Sequence, residues 1–521
     1  MARPTVESKT LLAALALACV GAAQATNGPK LIALGARSAG RAGVDYAYAD
    51  DGIGPATNPA GMGFMVGNRL DQNWALFDPQ VSWSNSFGTF DDRDVLFAPV
   101  PAFSFGAVFD PTADWQVKSV FQVGRWGLVD EEGKEIPPPN VENWSELAED
   151  EKLYGGRFRF GIGVFPITGG KVQIKDMLTV GSAQPVDWET DILTVALAPS
   201  LAYRFNKYIS IGMNLQFIYS KFELDGGISQ PSRILRDDFE FAAGVLSVNP
   251  QVATTADIDD AFSYGFSFRL GVMLQPIDQL TIGIVFQERT YTADYLGRAS
   301  VDANDEVTRL TNGNPGLLQV VDPGIQPALG FNSEYDLRIQ EYEQPRQVGL
   351  GFAFRPHPRV SLGFDYTFID WSMLRTFKAR LSNGDNPNLN IMTSPTIKVR
   401  IPLNFRDQHV IAFSATVLVA RGEDIVENVP SWALVWRAGY NYARTPVPAN
   451  TTLPQLPVIN EHHVATGFSL QLGQKVEFNF AWEWQLPNEL STGNHVGDYT
   501  LSNSRQEVEI MAFHFGFGVN F

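Results

Sequence analysis

One cysteine stands among 521 residues, and 18% of the chain is charged, against roughly a quarter in ordinary soluble proteins. Cys19 lies in a targeting segment. Arg3 and Lys9 precede an apolar run over residues 11–21, and Ala23-Gln24-Ala25 offers the small residues of a signal-peptidase site. Residues 1–25 therefore read as a signal peptide, with the mature chain starting at Thr26. Lipoprotein cleavage before Cys19 is the alternative, but Ala16 stands where an aliphatic residue such as Leu is usual. Without Cys19 the mature chain has no disulfide, thiolate nucleophile or cysteine-ligated metal. Positive charge is also scarce, with 39 Lys+Arg against 57 Asp+Glu. The net charge is -18, or -19 once Arg3, Glu7 and Lys9 are removed, which argues against a nucleic-acid partner. Beyond the signal no run of about 18 apolar residues could cross a bilayer as a helix. GxSxG, HExxH and P-loop motifs are absent, so no enzyme, cofactor or nucleotide site is expected. His462-His463 looks like a metal pair, yet adjacent strand residues face opposite sides, so no metal site is expected there.

The chain is rich in glycine (46) and aromatics (36 Phe, 15 Tyr, 11 Trp), arranged with period two. Phe521, Val519, Phe517, Phe515, Phe513 and Met511 alternate with Asn520, Gly518, Gly516, His514 and Ala512. Ile209, Ile211, Met213, Leu215, Phe217 and Tyr219 alternate likewise with Ser210, Gly212, Asn214, Gln216 and Ser220, and similar patterns recur near 262–272 and 360–367. A soluble sandwich also alternates, but its strands run about five or six residues, whereas these reach the nine or more that a tilted strand needs to cross a bilayer. Outward apolar and inward small or polar residues suit an all-β transmembrane antiparallel barrel, which must close because hydrocarbon offers no partner to an open edge. Short turns at 206–207, 276–279, 355–359 and 473–474 alternate with long polar connections at 225–260, 295–335, 382–400 and 445–461. That asymmetry is the outer-membrane pattern.

Residues 52–64 read GIGPATNPAGMGF, preceded by GARSAGRAGVDYAYADD. With the Asn58-Pro59-Ala60 triplet, this stretch resembles the N-terminal plug of the FadL-type family of outer-membrane transporters for long-chain fatty acids and other hydrophobic compounds. APSLAYRFNKYISIGMNLQF (198–217), YTFIDWS (366–372) and TPVPANTTLPQLPVINEHH (445–463) follow in family order, and the last strand, ending in Val519-x-Phe521, resembles a barrel-assembly signal. The resemblance implies a plug over residues 26–66 and a barrel over 67–521. Fourteen strands are expected, near 68–86, 96–111, 157–175, 191–206, 208–224, 262–275, 279–293, 336–355, 359–381, 403–420, 431–444, 460–473, 475–487 and 507–521. Sixteen are possible if 115–129 is also a strand, since residues 112–156, with an acidic run at 130–152, depart from the pattern.

The implied function is passive uptake of long-chain fatty acids or similar hydrophobic molecules by binding in loops and lumen, plug movement and lateral exit. The alternatives are a channel for aromatic hydrocarbons, or an outer-membrane enzyme acting on lipids, for which no catalytic constellation is present. Expected partners are the hydrophobic ligand, outer-membrane lipid and lipopolysaccharide, and the barrel assembly machinery, around a monomer. The family exits ligand near a kink in the third strand, here RFRFGIGVFPITGGKVQI. Pro166 removes a ladder donor and Gly169-Gly170 loosens the backbone, either at a break in pairing or in an ordinary turn. By parity Arg269, Arg355 and Arg437 point inward as candidate partners of a ligand carboxylate, or as lumen arginines paired with acids such as Asp365. Asp50-Asp51 suits a cap or a plug-to-barrel salt bridge.

Overall fold

The computed structural model describes residues 27–65, 67–91, 100–111, 156–178, 185–231, 251–426, 429–473, 475–496 and 501–521. The signal peptide, the acidic run at 130–152 and the candidate strand at 115–129 lie outside the described residues. Fourteen strands form one antiparallel ring: β1 (Arg69–Asn85), β2 (Val100–Phe109), β3 (Phe158–Met177), β4 (Val186–Asn206), β5 (Ile209–Pro231), β6 (Gln251–Ile277), β7 (Leu280–Gln287), β8 (Gln347–His357), β9 (Val360–Ile369), β10 (Gln408–Arg421), β11 (Trp432–Ala443), β12 (His462–Leu472), β13 (Val476–Thr492) and β14 (Ser504–Asn520). Each pairs with the next, and β14 closes on β1 from Arg69↔Asn520 to Ser84↔Arg505. β2 pairs directly with β3, and the ring of described strands counts fourteen. Among the described residues no helix is long and apolar enough to cross a membrane.

The period-two pattern maps onto the two faces of this ring. Along β5, Met213, Leu215 and Phe217 are 40%, 45% and 56% exposed, while Ser210 and Asn214 are fully buried. A face this apolar and this exposed is stable only against lipid. Short turns close the end that carries both β1's start and β14's finish. At 207–208 the Asn206 carboxamide accepts from the backbone N–H of Tyr208 (2.8 Å) and Ile209 (3.1 Å). At the β12–β13 turn Gly473 takes φ +56°, a left-handed conformation that favours glycine.

The other end differs from the expectation of plain polar loops. Tyr295–Asp302 pairs with the outer part of β6 and with Asn332–Gln340, which continues to Thr376–Ser382 and Thr396–Pro402. The expected strand at 336–355 is thus two segments separated at 341–346, where Glu341 stands at φ +57°. The expected strand at 359–381 likewise divides at a 3-10 turn, Trp371–Met373. Alternation persists through both breaks, so periodicity alone could not locate them. This outer sheet packs its own apolar core, where the Phe222 and Phe377 rings stack 5.5 Å apart beside Tyr295 and Tyr342.

Residues 27–65 run inside the ring. They contain only short turns of helix, among them Ala36–Ala39 and Pro59–Phe64, and nearly all their side chains are buried. Inward-facing glycines of the wall make room for them. A methyl group built on Gly516 (β14) would meet Ala36, on Gly467 (β12) Gly40, on Gly439 (β11) Arg41, on Gly283 (β7) Tyr46, on Gly271 (β6) Asn58, and on Gly212 (β5) Pro59. The segment therefore winds around the inner wall, and the small residues of the second face are the space it fills. At Gly283 the added carbon would lie 1.9 Å from the Tyr46 carbonyl oxygen, backbone that no rotamer change relieves. Gly283→Val should cost about 1–3 kcal/mol as overpacking and dislodge the segment. Trypsin should then cut at Arg37 or Arg41 in a variant whose barrel still migrates as folded in cold SDS, and protection equal to wild type would contradict the girdle.

Candidate functional site

The N-terminal segment is fixed by charge as well as shape. Arg37 Nε donates to Glu477 of β13 at 2.6 Å, Arg69 Nε donates to Asp71 at 2.6 Å, and Arg69 reaches Glu477 at 3.2 Å. Asp71 in turn accepts from the Gly52 N–H at 2.6 Å. Arg41 pairs with Asp45 and, at 3.2 Å, with Asp50. Asp50 thus bridges within the segment, and Asp51 caps a turn by accepting from the N–H groups of Ile53 (2.9 Å) and Gly54 (2.7 Å). Burial and the carboxylates of Asp71 and Asp45 push Asp51 up to about 8, so at neutral pH this network holds it largely protonated.

Asn58 is fully buried and begins the 3-10 turn Pro59–Phe64. Its carboxamide oxygen accepts from the Ala60 N–H (3.1 Å) and its nitrogen donates to the Tyr46 carbonyl (2.7 Å). Pro59 supplies the fixed φ of a first helical position, and Ala60 lies against Gly212 and Gly271. The triplet therefore ties two passes of the segment together and seats both on β5 and β6.

Above it lies a cavity of about 110 Å³, apolar along Leu31, Leu34, Phe165 and Pro166, and polar along Lys30, Arg269 and Gln287. Arg269 donates from Nε to Gln287 (2.7 Å) and from a terminal nitrogen to the Thr57 carbonyl (3.0 Å). Lys30 donates to the Pro345 carbonyl (3.3 Å) and to Gln347 (3.1 Å). All these acceptors are neutral. Asp365 also lines the cavity, but its Oδ2 accepts from the backbone N–H of Asp45 (2.7 Å) and Tyr46 (3.0 Å), so it holds the segment and does not pair with an inward arginine as expected. Burial, with the nearby Arg269 charge, pulls the Lys30 ammonium down to about 7. Arg355 and Arg437 are not among the residues lining the cavity. Arg355 donates to Thr281 (3.2 Å) near a short turn, and Arg437 donates to Ser469. Lys30 escaped the sequence reading because no periodicity marks an irregular segment.

Beside the cavity the pairing of the wall is interrupted among the described residues. β2 pairs with β3 only from Phe105↔Val164 to Phe109↔Phe160, although β2 begins at Val100 and β3 runs on to Met177. On its other side β3 stays paired with β4, with a register shift between Pro166 and Thr168 and unbroken pairing through Gly169 and Gly170. Those residues thus lie within a strand, not in a turn, and the discontinuity faces β2. There Lys30 forms an isolated antiparallel bridge with Thr168. A narrow pocket at the seam is lined by inward Asn73, Phe77 and His514 and by outward Trp74 and Phe103. It shares Leu31, Ala33, Leu34 and Pro166 with the cavity.

A closed fourteen-stranded barrel with an apolar outer belt and a threaded lumen is an integral protein of the bacterial outer membrane. The chain belongs to the outer membrane protein transport protein family (OMPP1/FadL/TodX), whose model matches residues 17–521. No curated protein sequence matches the chain. Among solved structures it is similar in fold to the Pseudomonas putida toluene transporter TodX (16% identity, 94% of this chain and 99% of that one, TM-score 0.65). It is likewise similar to the Ralstonia pickettii toluene transporter TbuX (14%, 94% and 98%, 0.62) and to a Pseudomonas aeruginosa FadL homologue (17%, 95% and 100%, 0.60). Members of this family are outer-membrane transporters of hydrophobic compounds rather than enzymes.

Replacing the Asn58 side chain should cost about 1–2 kcal/mol, typical of a lost helix cap, without touching the ladders. Asn58→Ala should therefore leave the barrel folded and inserted while lowering ligand uptake several-fold. Unchanged uptake would show that the triplet only fills space.

Proposed function

We propose that the protein takes up long-chain carboxylates, the class that includes fatty acids, by seating the carboxylate at Lys30 and Arg269 and passing the acyl chain along Leu31, Leu34 and Pro166 to the seam between β2 and β3. The carrying observation is the pair of buried cations on the cavity wall that, among the described residues, hydrogen-bond only neutral acceptors. Two like charges so placed are expensive unless an anion joins them. The apolar path beyond them supplies the burial that drives an acyl chain inward. Residues 26–66 act in this reading as the plug, which blocks the lumen so that ligand leaves sideways through the opening beside Pro166, Gly169 and Gly170.

A second reading, uptake of small aromatic hydrocarbons, is favoured by the cavity volume. About 110 Å³ approaches the roughly 150 Å³ that holds a benzene ring in an engineered cavity, and is too small for a whole extended acyl chain. In the carboxylate reading the cavity holds the head and the chain extends into the seam.

The two readings separate on one double variant. Lys30→Met with Arg269→Met should weaken binding of a fluorescent long-chain fatty acid at least ten-fold, about 1.4 kcal/mol, and leave toluene uptake near wild type. Because Lys30 loses its proton as pH rises through about 7, wild-type affinity for the carboxylate should fall between pH 6 and 8, and this decline should be smaller in the double variant. Equal binding by both proteins would favour the hydrocarbon reading.

A further inference from the structure

A carboxylate held by two cations cannot move into hydrocarbon as an anion, since an unpaired charge there takes up a proton instead of entering ionised. Lateral exit therefore needs a proton donor on the path, and one ionisable side chain lines the seam pocket. His514 on β14 is buried and borders that pocket with Leu31, Leu34, Trp74 and Pro166. Its Nε2 lies 3.2 Å from Glu483 Oε2 of β13, and the Phe77 ring of β1 packs edge-on at 5.6 Å between centroids. Glu483 also accepts from Gln485 (2.9 Å) and faces His463 Nδ1 of β12 at 3.8 Å. A carboxylate behind an imidazole fixes its orientation.

Among the described residues lining this pocket the other elements bring no charged side chain. β1 presents Asn73, Ala75 and Phe77, and the N-terminal segment presents Leu31, Ala33 and Leu34. Farther down the wall, Glu477 and Asp71 are engaged by Arg37 and Arg69.

We propose that His514, held in place by Glu483, gives a proton to the ligand carboxylate as it passes from Lys30 and Arg269 into the seam. An O–H bond forms on the carboxylate, the imidazolium N–H breaks, the neutral acid departs into lipid, and His514 regains its proton from water before the next passage. The step rests on the carboxylate reading above.

The test compares a long-chain fatty acid with the fatty alcohol of equal length, which needs no proton, in cells whose only such transporter is this protein or a variant. His514→Gln should lower acid uptake at pH 7.5 about ten-fold more than it lowers alcohol uptake, and the deficit should close near pH 5, where solvent can protonate the acid. Glu483→Gln, which removes the group that orients His514, should likewise lower acid uptake more than alcohol uptake, and both variants should still bind the fluorescent acid. Equal losses for acid and alcohol, or a deficit independent of pH, would overturn the proton role in favour of a packing role. Undiminished acid uptake by His514→Gln would overturn it alone, whereas a wild-type protein that binds no long-chain carboxylate would overturn the functional reading and the proton step together.

Discussion

Every backbone N–H and C=O that meets hydrocarbon must find a protein partner, because an unpaired group there costs several kcal/mol. From that requirement follow the fourteen strands, their long ladders and the closure of β14 on β1. It also makes the shortest ladder among the described strands of the ring conspicuous. Five residue pairs join β2 to β3, fewer than the nine to eleven residues a strand needs to span a bilayer. Beyond Val164 the β2 side of β3 has no wall partner among the described residues, and part of the N-terminal segment approaches it instead, with Lys30 bridging to Thr168. The N-terminal segment here stands beside β3 where a wall strand would otherwise pair, and a pocket lies behind it.

The segment itself combines two kinds of restraint. Residues 36–65 lie against inward glycines and are held by the buried Arg37–Glu477 ion pair to β13 and by the Gly52 N–H that donates to Asp71 of β1. Breaking such a pair by removing one partner leaves an unpaired buried charge, at about 3–5 kcal/mol. Residues 27–35 make fewer such contacts: a bridge, the Lys30 hydrogen bonds and apolar packing. Contact energy is therefore graded along the segment, strongest where it obstructs the lumen and weakest where it faces the seam. In the proposed function this grading lets a ligand displace residues 27–35 without expelling the rest.

The barrel was legible because lipid on one face and a packed lumen on the other impose a strict alternation, and segments such as 209–219 and 511–521 carry it without interruption. Pro166 and Gly169-Gly170 were legible as an irregular stretch, since proline and glycine act through the backbone, though only coordinates show that the break faces β2 while pairing with β4 persists. The outer sheet was not legible: its strands alternate as the membrane strands do, and a single left-handed residue, Glu341, separates the two. Among the inward arginines parity treats Arg269, Arg355 and Arg437 alike, yet only Arg269 borders the cavity, because depth along the barrel depends on register and on the path of an irregular segment. Lys30 and His514 belong to the same class of information, being defined by what lies opposite them across the lumen.

Closing the seam tests the account most directly. The mature chain is expected to lack cysteine, so a disulfide between Ser104→Cys and Phe165→Cys, the next pair after Phe105↔Val164, can be made and reversed without interference. With the bond formed, uptake of a long-chain fatty acid should fall to background while binding of the fluorescent analogue persists, and dithiothreitol should restore uptake. Full uptake by the quantitatively cross-linked protein would show that the ligand leaves by another route and would contradict the account.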